Sequence, residues 1–341
     1  MSIELTISEK TDIKTEQVIP SIVFIIPYRN RANDKTKFMS HMKDVLKEDD
    51  TAMNYEIYFS HQYDKRSFNR GAMKNIGFLA IKQKYPNHYK DITFVFNDVD
   101  TMPKTKDIID YNTVKGVVKH YYGFQFALGG IFSIKGADFE KSKGFPNFWG
   151  WGLEDSVLQK RCLNYDLHID RTQFFKIGSP IILQLFDGVS RIINNKEPWR
   201  AEHDGGIDGL NTIHQLLFTI DKTSKNNSDN ESIVISNKIF IINISSFMTQ
   251  HNFQKDNYYL YDLRDPTTKI IKPDNNPMDI NKLSNNWTDI PDNNNSKYSK
   301  YYNKPIPEEA NIQQTKNNKT TVIKNKSVNI KLGGIFKKKQ I

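Results

Sequence analysis

The run Ile22-Val23-Phe24-Ile25-Ile26, ending at Pro27, constrains the fold of this chain more than any other stretch. Five consecutive apolar residues offer no solvent face, so the run reads as a strand buried on both sides, as in a parallel sheet covered by helices. Tyr55-Glu56-Ile57-Tyr58-Phe59-Ser60 alternates as a second strand, and Asp91-Ile92-Thr93-Phe94-Val95-Phe96 reads as a third. Between them, Phe38, Met39, Met42, Val45 and Leu46 predict a helix over 35–47. Met73, Ile76, Gly77, Leu79 and Ala80 predict another over 71–84. Strand, helix, strand, helix, strand is the order of an α/β sandwich on a mostly parallel sheet.

Residues with chemistry in them follow these strands directly. Tyr28-Arg29-Asn30-Arg31 stands where open α/β sheets bind ligands. Two arginines there suit bidentate contact with a diphosphate, or plain surface ion pairing. The third strand runs into Asp98-Val99-Asp100, whose hard oxygens suit Mg²⁺ or Mn²⁺ holding phosphates. Gly129-Gly130, within an aromatic-rich extended stretch, marks either a close approach or a simple turn. Then comes Gly144-Phe145-Pro146-Asn147-Phe148-Trp149-Gly150-Trp151-Gly152-Leu153-Glu154-Asp155. Rings beside two acids suit a sugar, whose face stacks while its hydroxyls bond the carboxylates. The same two acids would equally favour the first turn of a helix over 155–163. A strand is expected within 176–185, a hairpin over 232–247 and a further strand at 258–263. His203 is either a metal ligand or an ordinary structural histidine.

The chain has 341 residues, enough for one large or two modest domains. A single cysteine, Cys162, excludes a disulfide framework or a cysteine-rich zinc site. Residues 1–20 read as a short polar leader without an apolar stretch, 21–220 as the main folded domain, and 221–271 as a β-rich extension. Residues 272–341, rich in Asn and Lys, bury too little apolar surface to fold and read as a disordered basic tail. The formal charge of +9 owes much to that tail, which suits contact with an anionic surface. Charge also admits a basic nucleic-acid-binding protein. Such a protein interleaves basic residues with aromatics, whereas the aromatics here stand beside acids.

Four segments in chain order resemble the beta-1,4-galactosyltransferase family (glycosyltransferase family 7) over about residues 22–215. They are Ile26-Pro27-Tyr28-Arg29-Asn30-Arg31; Phe68-Asn69-Arg70 with Asn75-Ile76-Gly77-Phe78; Phe96-Asn97-Asp98-Val99-Asp100; and the Trp/Gly/acid segment. Asp208-Gly209-Leu210-Asn211 is similar to a later family segment. The resemblance implies a GT-A fold, Rossmann-like with a mixed, mostly parallel sheet, and inverting transfer from a UDP-sugar to a glycan or glycoconjugate acceptor with Mn²⁺ (or Mg²⁺). It implies that Pro27, Arg29 and Arg31 lie along the nucleotide site, and that Phe68, Arg70 and Asp98 contact or adjoin the nucleotide. Asp100 would bind the metal; the stretch near Gln184 to Asp187 that aligns with the family's metal-binding His has none here, and His203 is the candidate in its place. Gly130 and Trp151 would line the donor and acceptor sites, Glu154 would touch the sugars and Asp155 would be the base, its proton affinity raised by burial against Trp151. Vertebrate members carry a bulky aromatic two residues before the glycine pair, where Ala127 stands here. The donor is therefore UDP-galactose or, with more room, UDP-N-acetylgalactosamine. An inactive sugar-binding relative is the remaining alternative, against which the intact acids stand. Typical members carry a Golgi membrane anchor. None is visible in this sequence, which leads to the expectation of a cytoplasmic enzyme.

Overall fold

A computed structural model describes residues 18–47, 54–64, 66, 68–149, 152–185, 197–222 and 236–251. The first half alternates as expected: β1 (Ile22–Tyr28), α1 (Ala32–Val45), β2 (Tyr55–Gln62), α2 (Arg70–Lys84) and β3 (Thr93–Asn97). After it come β4 (Thr101–Pro103), β5 (Val117–Gly123), β6 (Ile131–Lys135), α3 (Gly136–Lys141), α4 (Glu154–Asn164), β7 (His168–Asp170), β8 (Phe175–Lys176) and β9 (Ile182–Gln184). The last elements are α5 (Glu197–Glu202), β10 (His214–Lys222) and β11 (Ile239–Met248).

One mixed sheet runs β10-β11-β2-β1-β3-β6-β5-β7, with β8 beside β5. Strands β11, β2, β1 and β3 are mutually parallel, and β6 turns antiparallel to β3. The unbroken apolar run of β1 divides between the two faces because successive side chains of a strand point opposite ways. Ile22, Phe24 and Ile26 pack with Phe38, Met39 and Met42 of α1. Val23 and Ile25 pack with Met73 and Ile76 of α2, and with Phe94, Phe132 and Phe145. That second layer roots the Trp/Gly/acid segment, since Phe145 is fully buried against Phe96 and Phe139.

The structure departs from the sequence reading in two places. The hairpin expected over 232–247 is instead one strand, β11, which pairs antiparallel with β10, a strand the sequence did not predict, and parallel with β2. Strands β10 and β11 thus extend the main sheet, and Ile241, Ile242 and Ile244 of β11 are buried there. The single strand expected within 176–185 is two short pieces, β8 on β5 and β9 on β4. The expected strand at 258–263, the polar leader up to residue 17 and the basic tail lie outside the described residues.

Candidate active site

Three elements deliver charged side chains to one point. Asn69 caps α2 by accepting a hydrogen bond from the Ala72 N–H at 2.9 Å, which places Arg70 in the first turn, at the sheet's ligand-binding edge. Asp98 follows β3 directly. Leu153, in a left-handed conformation with φ 70°, turns the chain into α4 so that Glu154 and Asp155 occupy its first turn. Acids there meet the positive end of the helix dipole. Of the two sequence readings of this acid pair, the helix start is what the structure displays.

Arg70 joins the three carboxylates. Its Nη2 donates to both oxygens of Asp98, at 2.6 and 2.7 Å. Its Nη1 donates to Glu154 Oε1 at 2.6 Å and to Asp155 Oδ2 at 2.7 Å. Lys74, one turn further along α2, donates to Asp155 Oδ1 at 2.9 Å. Burial tends to raise the Asp155 pKa, but Arg70 and Lys74 outweigh it and hold the carboxyl below its ordinary value. Glu154 shifts the other way, raised by burial and by the adjacent Asp155 charge. Its Oε2 is buried without a hydrogen-bond partner. The proton affinity that burial was expected to raise at Asp155 is therefore raised at Glu154, because Asp155 bonds both Arg70 and Lys74 whereas Glu154 bonds Arg70 alone of the two.

The glycine pair explains how tightly this point is built. A Cβ on Gly129 would lie 2.5 Å from Asp155 Oδ2. Gly130 has φ +65°, and its carbonyl accepts from the Asp98 N–H at 3.0 Å. His120 supports the pair from behind: its Nε2–H donates to the Tyr122 and Gly129 carbonyls, while its Nδ1 accepts from Arg171 Nε at 3.2 Å. Burial, and Arg171 after it, pulls the His120 pKa down to about 3, so the ring stays neutral.

The remaining expected residues separate into distinct settings. Pro27 is buried in β1, opposite Ser60 of β2. Arg29 donates to the Arg66 carbonyl and, at 2.8 Å, to the Asp64 carbonyl, fastening the loop after β2. Arg31 reaches Asp100 Oδ2 at 2.8 Å and Asp34 Oδ2 at 2.7 Å. Phe68 packs on the main core. Ala127 lies in the turn that leads into Leu128, whose N–H bonds the Asp155 carbonyl at 3.0 Å. His203 stays with α5: it stacks on Trp199 at 4.5 Å, and its Nδ1 lies 2.9 Å from the Trp199 carbonyl. No group of three His, Cys, Asp or Glu able to hold a metal occurs among the described residues, so the structure does not bring His203 to the aspartates. Asp100 suits a hard divalent cation in kind, as a carboxylate donor on a turn, and the described residues supply part of a ligand set. Trp151 lies outside the described residues.

One site residue carried no sequence motif, and two motif residues have partners no motif showed. Lys74 stands four residues after Arg70, and that spacing on a helix is the signal that points to it. Asn147 bonds Asp208 through its N–H at 2.8 Å and its Nδ2 at 3.0 Å, which gives the Asp208-Gly209 segment the job of clamping the Trp/Gly/acid arm. The Trp149 indole N–H donates to Thr249 Oγ1 and the His251 carbonyl, each at 3.0 Å, tying the same arm to the end of β11. Those partners are 100 and 102 residues away, beyond any local pattern.

Comparison with known proteins agrees with this geometry. The N-terminal region of glycosyl transferase group 7 matches residues 10–113, and a galactosyltransferase domain of the same group matches 113–183. A xylosylprotein 4-beta-galactosyltransferase of Caenorhabditis elegans is 25% identical over 250 residues, covering 66% of this chain and 83% of that protein. Beta-1,4-galactosyltransferase 7 of Drosophila melanogaster is 25% identical over 224 residues, covering 59% of this chain and 66% of its own length. Beta-1,4-galactosyltransferase 4 of Cricetulus griseus is 30% identical over 169 residues, and the match spans only 46% of either protein. The crystal structure of the Drosophila beta-1,4-galactosyltransferase 7 catalytic domain with xylobiose superposes with TM-score 0.53 at 21% identity, over 70% of this chain and 98% of that one. The expected GT-A fold is thereby shown.

The same relatives overturn the expectation of a cytoplasmic enzyme, because they are Golgi-type galactosyltransferases. That expectation rested on the lack of an apolar N-terminal stretch, which does not decide compartment. No helix among the described residues is long and apolar enough to cross a membrane.

Proposed function

Since this chain belongs to glycosyl transferase group 7, the beta-1,4-galactosyltransferase family, we propose that it transfers galactose from UDP-galactose to a hydroxyl of a sugar acceptor, with inversion and with a divalent cation. The observation that carries this reading is the convergence of Asp98, Glu154 and Asp155, from two separate motifs, on the one guanidinium of Arg70. A solved relative from Drosophila is in complex with manganese, UDP-Gal and xylobiose, which supports the same donor, metal and acceptor class here.

In this mechanism Asp155 takes the proton from the acceptor hydroxyl as its oxygen attacks the anomeric carbon. Attack from one side with a single base inverts the centre, as in inverting glycosidases. Mn²⁺, when bound, supplies Lewis-acid neutralisation of the departing diphosphate. Asp100 would help hold it, and Arg31 would supplement the charge. Glu154, with its raised proton affinity and unpartnered Oε2, would donate to or accept from a sugar hydroxyl. Gly129 lets the Asp155 carboxylate lie directly against the backbone, where any side chain would displace it. The Lys-rich tail is read as an electrostatic contact to an anionic surface, supported by charge alone.

The test is UDP release from a panel of UDP-sugars, with xylose, glucose or N-acetylglucosamine as acceptor, with and without Mn²⁺. Release that needs Mn²⁺ and prefers UDP-galactose is expected, and no binding of UDP would overturn the proposal. Ala127 supports a second reading, in which UDP-N-acetylgalactosamine is also used, because a methyl group leaves space that a large side chain would fill. Replacing Ala127 with Tyr should then depress N-acetylgalactosamine transfer by about tenfold or more relative to galactose. An unchanged donor ratio in that variant would remove the second reading.

A further inference from the structure

Lys74 has no place in the reaction described so far, yet its side chain is 1% exposed and aimed at the acids. It lies inside α2, with Nζ 2.9 Å from Asp155 Oδ1, 3.9 Å from Asp98 Oδ1 and 4.6 Å above the Phe145 ring centroid. A lysine buried this deeply loses its hydration and persists only where anions replace it. The neighbouring Met73 and Ile76 show what this stretch of helix otherwise presents to the core. The two oxygens of Asp155 therefore differ. Oδ1 is held from within by Lys74. Oδ2 lies against Gly129, beside Arg70, whose side chain is 16% exposed and shared with two other carboxylates.

We propose that Lys74 is a positioning residue for sugar transfer, anchoring Oδ1 of Asp155 from inside α2 so that Oδ2 is presented to the acceptor hydroxyl as the atom that takes the proton. The inference rests on Asp155 being the base of the proposed galactosyl transfer. In that step the acceptor O–H proton passes to Oδ2, and the acceptor oxygen bonds to the anomeric carbon. The bond from that carbon to the diphosphate oxygen breaks, and its electron pair leaves with UDP. Lys74 exchanges no atom with substrate. The charged groups facing Asp155 are Arg70 and Lys74 from α2, Asp98 from the end of β3 and Glu154 from its own helix. Two cations thus serve three carboxylates, and removing one leaves Arg70 to serve all three. Burial and the remaining acids would then push the Asp155 proton affinity up, so an ionised base would be available only at higher pH.

The experiment measures steady-state UDP release by the full chain with UDP-galactose, Mn²⁺ and a sugar acceptor across pH. The wild type is tested first, and its failure to release UDP would count against the galactosyltransferase reading itself. With an active wild type, Lys74→Met should lower kcat by about tenfold to a hundredfold and leave the donor KM within about twofold. It should also move the acid limb of the kcat profile up by about one pH unit. Lys74→Arg should recover part of kcat and most of the pH shift. In an Asp155→Asn background, Lys74→Met should add no further loss to the residual rate. Wild-type kcat and acid limb in Lys74→Met, a loss confined to KM, or a full additional loss beside Asp155→Asn would each overturn the proposal. Far-UV circular dichroism and urea midpoints report folding. Should Lys74→Met not fold, Lys74→Gln carries the same expectations and the same refutations.

Discussion

Arg31 and Arg70 hold the two aspartates of one tripeptide, Asp100 and Asp98, in very different company. Arg31 divides itself between Asp100, 69 residues away, and Asp34, three residues along its own chain. Arg70 holds acids 28, 84 and 85 residues away and none nearby. Exposure does not explain the contrast, since the two side chains are 20% and 16% exposed. The partners do. Asp34 can retain Arg31 if Asp100 turns to a cation, so that side of the site is exchangeable. Arg70 ties α2, the β3 turn and α4 into one frame, and no single carboxylate there can leave without unbalancing the others.

The largest effect that would sharpen this contrast comes from Asp155→Asn. It should lower kcat by about 10²- to 10⁴-fold with little change in the donor KM, read by steady-state UDP release. A change below about threefold would show that Asp155 is not the base. Next in size is stability. Arg70→Met should cost about 3–5 kcal/mol in urea unfolding, because it leaves buried carboxylates unpaired. Arg31→Met should cost clearly less, because it unpairs two carboxylates rather than three. Equal costs would erase the distinction between a fixed and an exchangeable side.

A smaller effect separates the two adjacent acids by pH. The Asp155 carboxyl is held below its ordinary value, so its share of stability is present above that value and lost as pH falls through the folded one. The Glu154 carboxyl is raised above its ordinary 4.5, so its share is present below 4.5 and lost as pH rises through the folded value. Relative to Glu154→Gln, the wild type should therefore lose about 1 kcal/mol for each unit that the Glu154 pKa is raised, as pH climbs above 4.5. Parallel stability curves for the two proteins would show that Glu154 does not titrate in this way.

The first half of the chain was legible because its signals are local. The apolar run at 22–26, the helix spacing over 71–84 and the acids after β3 each lie within a few residues of what they determine. Asp98, Asp100, Glu154 and Asp155 stood out for the same reason. Lys74 did not, since a lysine within a helix usually faces water, and only the fold of α2 against α4 turns it inward. Alternation over 232–247 pointed to extended chain, but its pairing with β10 and its parallel pairing with β2 left no local trace. His203 illustrates the reverse error of proximity. Its place near Asp208-Gly209-Leu210-Asn211 suggested a ligand, whereas α5 stacks its ring on Trp199.

The central claim is that this frame moves galactose to a sugar hydroxyl with Asp155 as base. The most direct measurement is proton NMR of the product formed from UDP-galactose, Mn²⁺ and a sugar acceptor, compared between the wild type and Asp155→Asn. The account predicts a new galactoside of inverted, β configuration, formed by the wild type and lost in the variant. An α-linked product, or a β product formed equally well without the Asp155 carboxylate, would contradict it.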